Sequence, residues 1–310
     1  MKIGIIGAGM VGSAAGYAIA LKGTASDIIF VDKNPDLARA QAQDIAHAVP
    51  FSSATRVTFG TSADIKDASV IILAAGVGQK PGESRLNLLS RNKDVFSAIL
   101  SDLGPLAPHT ILLIASNPVD IMTQIATELS GLPPARVIGS GTILDTARLR
   151  HLLGLHLGIA AHSVHAYVLG EHGDSEVLAW HSARVGALPL VDFASQRGVP
   201  LTASIKHDID TGVRGAAETI IKGKGATWYG IGAGLERIVR AIATDEQAVL
   251  SVSCVTPHIE SVETVALSIP RIIGAKGADT EIFPDLSPEE HSALAASARG
   301  LKDTYDALKL

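Results

Sequence analysis

The N-terminal stretch Lys2-Ile-Gly-Ile-Ile-Gly-Ala-Gly-Met-Val-Gly12 decides how the chain folds. It joins a short apolar run to a glycine turn, and the small, mostly apolar residues that follow are typical of a helix. A strand, a glycine turn and a helix in this order form a dinucleotide-binding unit. Gly7 permits the tight turn, Gly9 lets the backbone approach a pyrophosphate, and Gly12 lets the helix pack on the strand. The N–H groups at the start of that helix can then bind the phosphates.

An acidic residue at the end of the next apolar run predicts which cofactor binds. Residues 27–32 read Asp-Ile-Ile-Phe-Val-Asp, and Asp32 follows Gly12 by about twenty residues. At that spacing a carboxylate accepts hydrogen bonds from the ribose hydroxyls of the adenosine, and it repels the 2′-phosphate of NADP. The sequence therefore predicts NAD as the cofactor.

Apolar runs and helix-like segments continue to alternate after this unit, which predicts a parallel sheet covered on both faces. Further strands of the sheet are predicted at 56–60, 69–74, 110–116 and 136–139. Beyond residue 141, long helices collect beside strand-like segments, a pattern typical of an α+β domain. Those segments lie at 165–169, 177–185, 248–255 and 262–267. We predict an α/β protein with a Rossmann-type NAD-binding domain over residues 1–141 and an α+β substrate-binding, catalytic domain over residues 142–310.

Composition limits the class of protein. The chain has 310 residues, 47% of them hydrophobic, so two domains are the expected arrangement. A net charge of −5 without a basic run argues against a nucleic-acid surface and a polybasic membrane anchor. The single cysteine, Cys254, excludes an internal disulfide and a cysteine-rich zinc site. Because the start also lacks a secretory pattern and no apolar stretch reaches membrane-spanning length, we expect a cytoplasmic location.

Residues 142–150 read Thr-Ile-Leu-Asp-Thr-Ala-Arg-Leu-Arg and place opposite charges on one helical face. Asp145 and Arg148 are three positions apart, so both side chains should project from the same side of the helix. A guanidinium presents donors that match a substrate carboxylate, whereas a carboxylate can fix the tautomer of a histidine. Most Asp-x-x-Arg pairs are surface ion pairs of little consequence, so this pair alone does not decide a function.

The candidate histidine is His172, in the turn Gly-Glu-His-Gly-Asp at residues 170–174. A histidine titrates near neutral pH, and Asp145 would stabilise its charged form, so His172 can act as acid and base. Since a nicotinamide cofactor carries the hydride, the protein must supply a proton donor, a carbonyl polariser and a substrate anchor. We assign these roles to His172, Arg85 and Arg148, respectively.

Two segments at predicted strand ends add to this site. The polar, glycine-rich segment 76–85 could close as a lid that carries Arg85 and excludes water, although a plain solvated loop is an equally good interpretation. Asn117 lies at the C-terminal edge of a predicted strand, where ligands bind in such sheets. The bond from Asn117 to Pro118 can be cis in a tight turn there.

Six motifs in the same order resemble those of the NAD-dependent L-lactate and malate dehydrogenases, most closely the bacterial L-lactate enzymes. The motifs are Gly7-Ala-Gly-Met-Val-Gly12, Gln79-Lys-Pro-Gly-Glu-Ser-Arg85, Ser116-Asn-Pro-Val-Asp120, Gly141-Thr-Ile-Leu-Asp-Thr-Ala-Arg148, Gly170-Glu-His-Gly-Asp174 and Gly225-Ala-Thr-Trp-Tyr-Gly230. The resemblance covers essentially the whole chain. One departure is Trp228, where the family more often has tyrosine, but its neighbours match.

The resemblance implies reversible hydride transfer between NADH and pyruvate, giving L-lactate and NAD⁺, in glycolysis and fermentation. It implies His172 and Asp145 as the proton-transfer pair and Arg85 as a mobile polariser. The substrate-binding positions that it implies are Gln79, Arg85, Asn117, Arg148 and Thr227. The cofactor-binding positions are Gly7, Gly9, Met10, Val11, Gly12, Asp32, Ala75, Gly76, Asn117 and Ile231. Arginine is expected at position 79 in the malate enzymes, so Gln79 favours pyruvate over oxaloacetate.

Several alternatives can be compared with this interpretation. A metal site formed by His162, His165 and His172 fits no zinc spacing and has no cysteine to supplement it, so we expect no metal. Tyr305 and Lys309 match the Tyr-x-x-x-Lys pair of short-chain reductases, but that pair lies mid-chain in those enzymes.

Malate dehydrogenase, or another 2-hydroxy acid dehydrogenase, is the alternative within the family. A non-catalytic NAD-binding sensor is the alternative from another class, and it would need only the cofactor residues.

A regulatory role is predicted for Arg150. It follows Arg148 by two residues, roughly 200° around the helix, and should face away from the substrate. One interpretation is a solvated or salt-bridged arginine. The other comes from the resemblance, which implies that Arg150 and His165 bind fructose 1,6-bisphosphate between subunits of a homotetramer. An anion bound between these cations would favour the assembled, active form, which makes the enzyme allosteric.

Overall fold

The computed structural model describes residues 1–78, 82 and 84–308, and gives Arg85 by its backbone alone. Four residues of the predicted lid, Gln79, Lys80, Pro81 and Glu83, lie outside these residues, as does Lys309. No helix in the described part of the chain is both long and apolar enough to cross a membrane.

A nine-stranded sheet forms the centre of the described structure. Six of its strands are β1 (Lys2–Ile6), β2 (Asp27–Val31), β3 (Arg56–Phe59), β4 (Val70–Leu73), β5 (Ile111–Ile114) and β6 (Val137–Gly139). These six are parallel and lie in the order β6-β5-β4-β1-β2-β3. The predicted Rossmann-type parallel sheet is therefore confirmed. Its strand order reverses beside β1, which is the point where such sheets bind dinucleotides.

Alternate residues of each strand enter two different cores, because successive side chains point to opposite faces of a sheet. In β1, Ile3 and Ile5 belong to one core and Ile6 to the other. The helices that follow the strands are α1 (Met10–Lys22), α2 (Pro35–Ala48), α3 (Arg85–Leu103) and α4 (Val119–Ser130). Helices α1 and α2 contribute to the core of Ile3, and α3 and α4 to the core of Ile6.

The second half of the chain contains five helices and eight strands among the described residues. Its helices are α5 (Ile143–Leu157), α6 (Leu190–Gln196), α7 (Ala203–Lys224), α8 (Tyr229–Ala243) and α9 (Pro288–Ala307). The short strands are β7 (Val164–His165), β8 (Val168–Leu169), β9 (Val177–Leu178), β10 (Arg184–Val185) and β11 (Leu188–Pro189). The others are β12 (Ala248–Ile259), β13 (Val262–Gly274) and β14 (Gly277–Glu281). This mixture of helices and antiparallel strands is the α+β arrangement that the sequence predicted.

The long hairpin β12–β13 continues the central sheet instead of forming a separate one. The hairpin is antiparallel, and β12 joins β6 through the pair Ser253 and Gly139. The sheet therefore crosses the predicted domain boundary after Gly141, and that boundary stays a prediction. Helices α8 and α9 cover the two faces of the sheet, with Leu235 in one core and Leu294 in the other.

Two predicted strands were wrong in their extent. Segment 165–169 contains the end of β7 and the whole of β8, which belong to different sheets. Segment 177–185 is divided into β9 and β10 by a turn in which the Ala183 N–H donates to the Trp180 carbonyl. Apolar residues of both segments are buried in a third hydrophobic core, together with Leu149 and Val213. Burial in this core accounts for their hydrophobicity, so a continuous strand is not required.

The glycine turn has the conformation and the close contacts that the sequence predicted. Gly7 has a φ of +101°, in the region that favours glycine. A side chain at Gly12 would overlap the Gly7 carbonyl oxygen, so α1 can approach β1 only because Gly12 lacks a Cβ. Gly9 has open space where a Cβ would be, in agreement with a position that leaves room for a ligand.

Helices α1 and α8 pack closely and connect the two halves of the chain. A Cβ at Gly232 would come within 2.8 Å of the Ala14 backbone, so glycine permits this approach. The fully buried carboxylate of Glu236 accepts hydrogen bonds from Lys22 Nζ at 2.7 Å and from Thr24 Oγ1 at 2.8 Å. A buried charge is tolerated only when it is paired and hydrogen-bonded.

Replacing Lys22 with methionine should therefore destabilise the protein. The Glu236 carboxylate would keep only the Thr24 hydroxyl as a partner, and we expect the free energy of unfolding to fall by about 1–2 kcal/mol. Urea unfolding followed by circular dichroism measures this change. The matched control is Lys222→Met, because the partner Glu218 is exposed, and its effect should stay within about 0.5 kcal/mol. Equal effects of the two substitutions would contradict the role given to Glu236.

Candidate active site

A cavity of about 290 Å³ lies between the glycine turn and helices α5, α7 and α8. It brings together predicted site residues that are far apart in the sequence. The predicted residues among its lining are Val11, Asn117, Arg148, His172, Thr227 and Ile231. Since these residues come from both halves of the chain, the cavity exists only in the assembled fold.

A neighbouring groove of about 440 Å³ contains five more of the predicted cofactor residues. Its lining includes Gly7, Gly9, Asp32, Ala75 and Gly76. Asp32 accepts hydrogen bonds from the N–H groups of Ala8 at 2.7 Å and Asn34 at 2.9 Å. A carboxylate has about four acceptor positions, so the ribose hydroxyls can still bind.

The groove also has free donors for phosphates. Within the described structure, no side chain caps α1 at Gly9, which leaves its first N–H groups available. Met10 lies at this exposed helix start, and Gly12 is buried beneath the turn. These features fit a dinucleotide whose pyrophosphate lies at the start of α1 and whose other end reaches the cavity of Asn117 and His172.

The carboxylate of Asp145 is the centre of the polar groups in the cavity. Asp145 is 1% exposed and lies in the first turn of α5, where the helix dipole favours a negative charge. One oxygen, Oδ1, accepts a hydrogen bond from Arg148 Nη1 at 2.6 Å. The other, Oδ2, lies 2.5 Å from His172 Nδ1. Because an ionised carboxylate only accepts, Nδ1 carries a hydrogen, and Nε2 is the atom that can exchange a proton with a ligand.

The surroundings of His172 favour its charged form. Burial lowers the pKa of the imidazole, but the hydrogen bond to Asp145 and the charges of Asp145, Asp120 and Glu176 outweigh it and raise the pKa above the ordinary value of 6.5. A histidine of this kind holds a proton near neutral pH and can still release it.

Asp120 is a contributor to this site that the sequence reasoning missed. Its Oδ2 accepts a hydrogen bond from the His172 backbone N–H at 2.8 Å, which fixes the loop that carries the imidazole. Burial raises the pKa of Asp120 to about 6, against the lowering effect of its hydrogen bonds and of His172. Asp120 ends the motif Ser116-Asn-Pro-Val-Asp120, but nothing in that motif indicates a contact with the distant loop of His172.

Glu176 was also missed, and the sequence contained no local sign of it. It is 5% exposed, and groups of Asp145, His172 and Glu176 lie within 4.8 Å of one another. Metal ions bind such groups, but both oxygens of Asp145 are already occupied by Arg148 and His172. We therefore interpret the cluster as one for proton transfer. In the sequence, Glu176 follows a turn and precedes a predicted strand, where an acidic residue is usually exposed.

The substrate-binding predictions can be followed only in part. Arg148 lies in the cavity with its side chain 15% exposed, and its hydrogen bond to Asp145 uses one donor atom of the guanidinium fork. Arg85 is the first residue of α3, after the N-cap Ser84, but its side chain lies outside the described part of the structure. The peptide bond between Asn117 and Pro118 is cis, as the sequence allowed. The lid roles of Arg85 and Gln79 therefore stay predictions.

The family departure at Trp228 is part of a cation–π group beside the cavity. Lys224 Nζ lies 3.3 Å from the centre of the Trp228 ring and 4.2 Å from that of Tyr229. This contact joins the end of α7 to the start of α8, on either side of Thr227. The Trp228 ring therefore packs against Lys224 and Tyr229, next to the cavity-lining residue Thr227.

Arg150 lies outside the cavity of His172, on the other side of α5. Its Nε donates to the Ala166 carbonyl at 3.0 Å, and its guanidinium lies 5.0 Å from the centre of the Tyr167 ring. Its partners among the described residues include a carbonyl and an aromatic ring, and the half-buried side chain also lines a cavity of about 450 Å³ on that side of α5. Both interpretations of Arg150 stay predictions. His165 is exposed on β7, one residue before Ala166, and His162 is exposed as well. Among the described residues, these two histidines form no metal-ligating group with His172.

Comparisons with known proteins agree over the whole chain. Residues 1–139 match the family model described as lactate/malate dehydrogenase, NAD binding domain. Residues 142–309 match the model described as lactate/malate dehydrogenase, alpha/beta C-terminal domain. An L-lactate dehydrogenase of Allorhizobium ampelinum is 62% identical, with 98% of each chain covered. The L-lactate dehydrogenase of Thermus aquaticus is 56% identical, with 99% of each covered.

Solved structures show the same similarity. A lactate dehydrogenase from a Medee basin deep-sea metagenome library superimposes with a TM-score of 0.96, at 36% identity, over 100% of this chain and 99% of that one. The minor L-lactate dehydrogenase of Enterococcus mundtii gives a TM-score of 0.94, at 36% identity, over 99% and 98% of the two chains.

Proposed function

Because the chain belongs to the lactate/malate dehydrogenase family, we propose that it is an NAD-dependent L-lactate dehydrogenase, which interconverts pyruvate and L-lactate. The observation that carries this proposal is the buried Asp145 carboxylate, bonded to Arg148 on one side and His172 on the other. The Allorhizobium and Thermus relatives with the same activity in their names support it. A non-catalytic sensor is not favoured, because it would not need this arrangement of charges.

Each residue of the proposed active site has its own role in the reaction. When bound, NADH supplies the hydride that reaches the carbonyl carbon of pyruvate. His172 donates the proton on Nε2 to the carbonyl oxygen, and in the reverse direction it accepts that proton from the hydroxyl of lactate. Asp145 orients the imidazole and stabilises its charged form, while Arg148 binds the substrate carboxylate through parallel hydrogen bonds. Arg85 is proposed to polarise the carbonyl, and Asn117 and Thr227 to line the substrate.

Substitutions in the proton-transfer pair test this function directly. His172→Ala and Asp145→Asn should each lower kcat for pyruvate reduction by about 10²–10⁴-fold, because positioned acid–base groups contribute about that factor. NADH binding, followed by its fluorescence, should stay nearly unchanged. Arg148→Lys should mainly raise KM for pyruvate, since a point charge cannot reproduce the bidentate fork. Near wild-type turnover in His172→Ala, or an unchanged KM in Arg148→Lys, would remove the corresponding role.

Substrate choice is proposed to depend on Gln79. A neutral amide would leave the second carboxylate of oxaloacetate without a partner in a desolvated site, so pyruvate should be preferred. Gln79→Arg should shift the ratio of kcat/KM toward oxaloacetate. Lys80→Arg is the neighbouring control, because it keeps the charge of the lid and should leave the ratio unchanged. A wild-type enzyme that reduces oxaloacetate faster than pyruvate would favour a malate dehydrogenase instead.

We also propose a homotetramer that fructose 1,6-bisphosphate activates through Arg150 and His165. The support from the described residues is that Arg150 bonds to the segment that carries His165, outside the substrate cavity. Phosphate oxygens bind guanidinium and imidazolium donors, and an anion between like charges of two subunits would stabilise their contact. A cytoplasmic role in glycolysis and fermentation belongs to the same proposal, and the free, buried Cys254 is compatible with a reducing compartment.

The bisphosphate proposal predicts a change in pyruvate saturation. Adding the bisphosphate should lower the pyruvate concentration needed for half-maximal rate, and high salt should weaken this activation. Arg150→Gln should abolish the activation, whereas Arg197→Gln, the same change on an exposed arginine, should keep it. Saturation curves that superimpose with and without the bisphosphate at slightly acidic and neutral pH would remove the regulatory site and leave the catalytic assignment intact.

A further inference from the structure

Glu176 is a buried carboxyl group with an incomplete set of partners. It lies four residues after His172 and is 5% exposed. Its Oε1 atom has no hydrogen-bond partner among the described residues. A buried carboxylate without partners is costly, so a group in this position tends to hold a proton and become neutral.

The nearby arginine does not neutralise Glu176 by a direct side-chain contact. Arg214 on α7 donates to the backbone carbonyls of Glu176 at 2.7 Å and Asp174 at 2.9 Å. Its Nε donates to the carboxylate of Asp210 at 2.5 Å. The guanidinium is therefore used by other acceptors and acts on the Glu176 carboxyl only through space.

Charged groups on several neighbouring elements act on Glu176. Helix α5 contributes Asp145 and Arg148, α7 contributes Arg214, and the His172 loop contributes the imidazole. Asp210 and Asp174 interact with Arg214, and Asp120 on α4 interacts with His172. Burial raises the pKa of Glu176 first and the Asp145 charge raises it further, to about 8, against the lowering effects of Arg214, His172 and Arg148.

We propose that Glu176 is a positioning residue that stays protonated at neutral pH and becomes ionised at alkaline pH, where its negative charge retains the proton on His172. This inference rests on the proposed role of His172 as the proton donor. The proton that leaves Glu176 goes to solvent, and the charge left behind favours the imidazolium over the neutral imidazole. The reduction of pyruvate, which requires protonated His172, thereby extends to higher pH.

The pH dependence of kcat/KM for pyruvate tests the proposal. Glu176→Gln keeps the shape of the side chain but cannot ionise. Below about pH 7 the profiles of the variant and the wild type should coincide, because Glu176 is neutral in both. Above pH 8, the fall of kcat/KM at high pH (the alkaline limb of the profile) should occur about one pH unit lower in the variant than in the wild type. A charge within about 4–6 Å produces a shift of this size. This gives up to about a tenfold lower kcat/KM there.

The steepness of the alkaline limb provides a second test of the electrostatic coupling between Glu176 and His172. In the wild type, Glu176 and His172 titrate over the same pH range, and the ionisation of Glu176 raises the pKa of His172. The alkaline limb should therefore be less steep than the titration of a single independent group. In Glu176→Gln it should fall with the slope of a single proton. The matched control is Glu218→Gln, the same substitution on the exposed face of α7, which should leave position and slope unchanged.

Thermal stability separates this role from a merely structural one. The folded-state pKa of Glu176 lies above its ordinary value of 4.5, so the wild type loses stability as pH rises from about 4.5 to 8. Glu176→Gln lacks this loss, and its Tm should rise relative to that of the wild type across the same range. A structural role predicts a lower Tm for the variant at every pH. Glu176→Met, which also cannot ionise, provides the same comparison if Glu176→Gln does not fold.

The outcomes distinguish the two proposals. A wild-type enzyme that does not reduce pyruvate would overturn the proposed function. An active wild type whose kcat/KM profile coincides with that of Glu176→Gln from pH 5 to pH 10 would overturn the role of Glu176 alone. A uniform loss at all pH values, with an unshifted alkaline limb, would also overturn it, because lost packing and not lost charge would then explain the effect.

Discussion

One buried carboxylate determines how the catalytic groups are arranged. The two oxygens of Asp145 hold Arg148 at 2.6 Å and His172 at 2.5 Å, so the substrate anchor and the proton donor are positioned by the same group. A charge buried this deeply is stable only with such partners, together with the start of α5. Removing one partner would leave one oxygen of this buried carboxylate unpaired. Geometry and electrostatics at this site therefore cannot be changed independently.

The scaffold brings this carboxylate to the cofactor groove through the shared sheet. Strand β6 ends at Gly139, and α5 begins at Ile143, so the helix of Asp145 starts at the carboxyl edge of the parallel strands. Ligands bind at that edge because loops there are close to the glycine turn of β1. The packing of α8 on α1, with Glu236 buried between them, fixes the opposite wall. The substrate cavity and the cofactor groove are adjacent for these reasons.

Three carboxyl groups surround one imidazole, and their surroundings give them different states. Asp145 has two cationic partners, Asp120 accepts a backbone N–H with its pKa raised to about 6, and Glu176 has its pKa raised to about 8. Carboxyl groups whose pKa values are pushed apart can perform different tasks at one pH. Because the pKa of Glu176 is about 8, its carboxyl is neutral at pH 7 and does not repel the Asp145 carboxylate.

The sequence by itself determined the features that depend on residues close together in the chain. The glycine spacing from Gly7 to Gly12 identified the dinucleotide turn, and the three-residue spacing of Asp145 and Arg148 identified a shared helical face, because turns and helical faces are local. Only the tertiary structure decided that Asp120 and Glu176 lie beside His172, that β12 joins β6, and that two predicted strands are broken. Burial, and the pKa values that depend on it, arise from contacts between distant segments. No local pattern in the sequence contains that information.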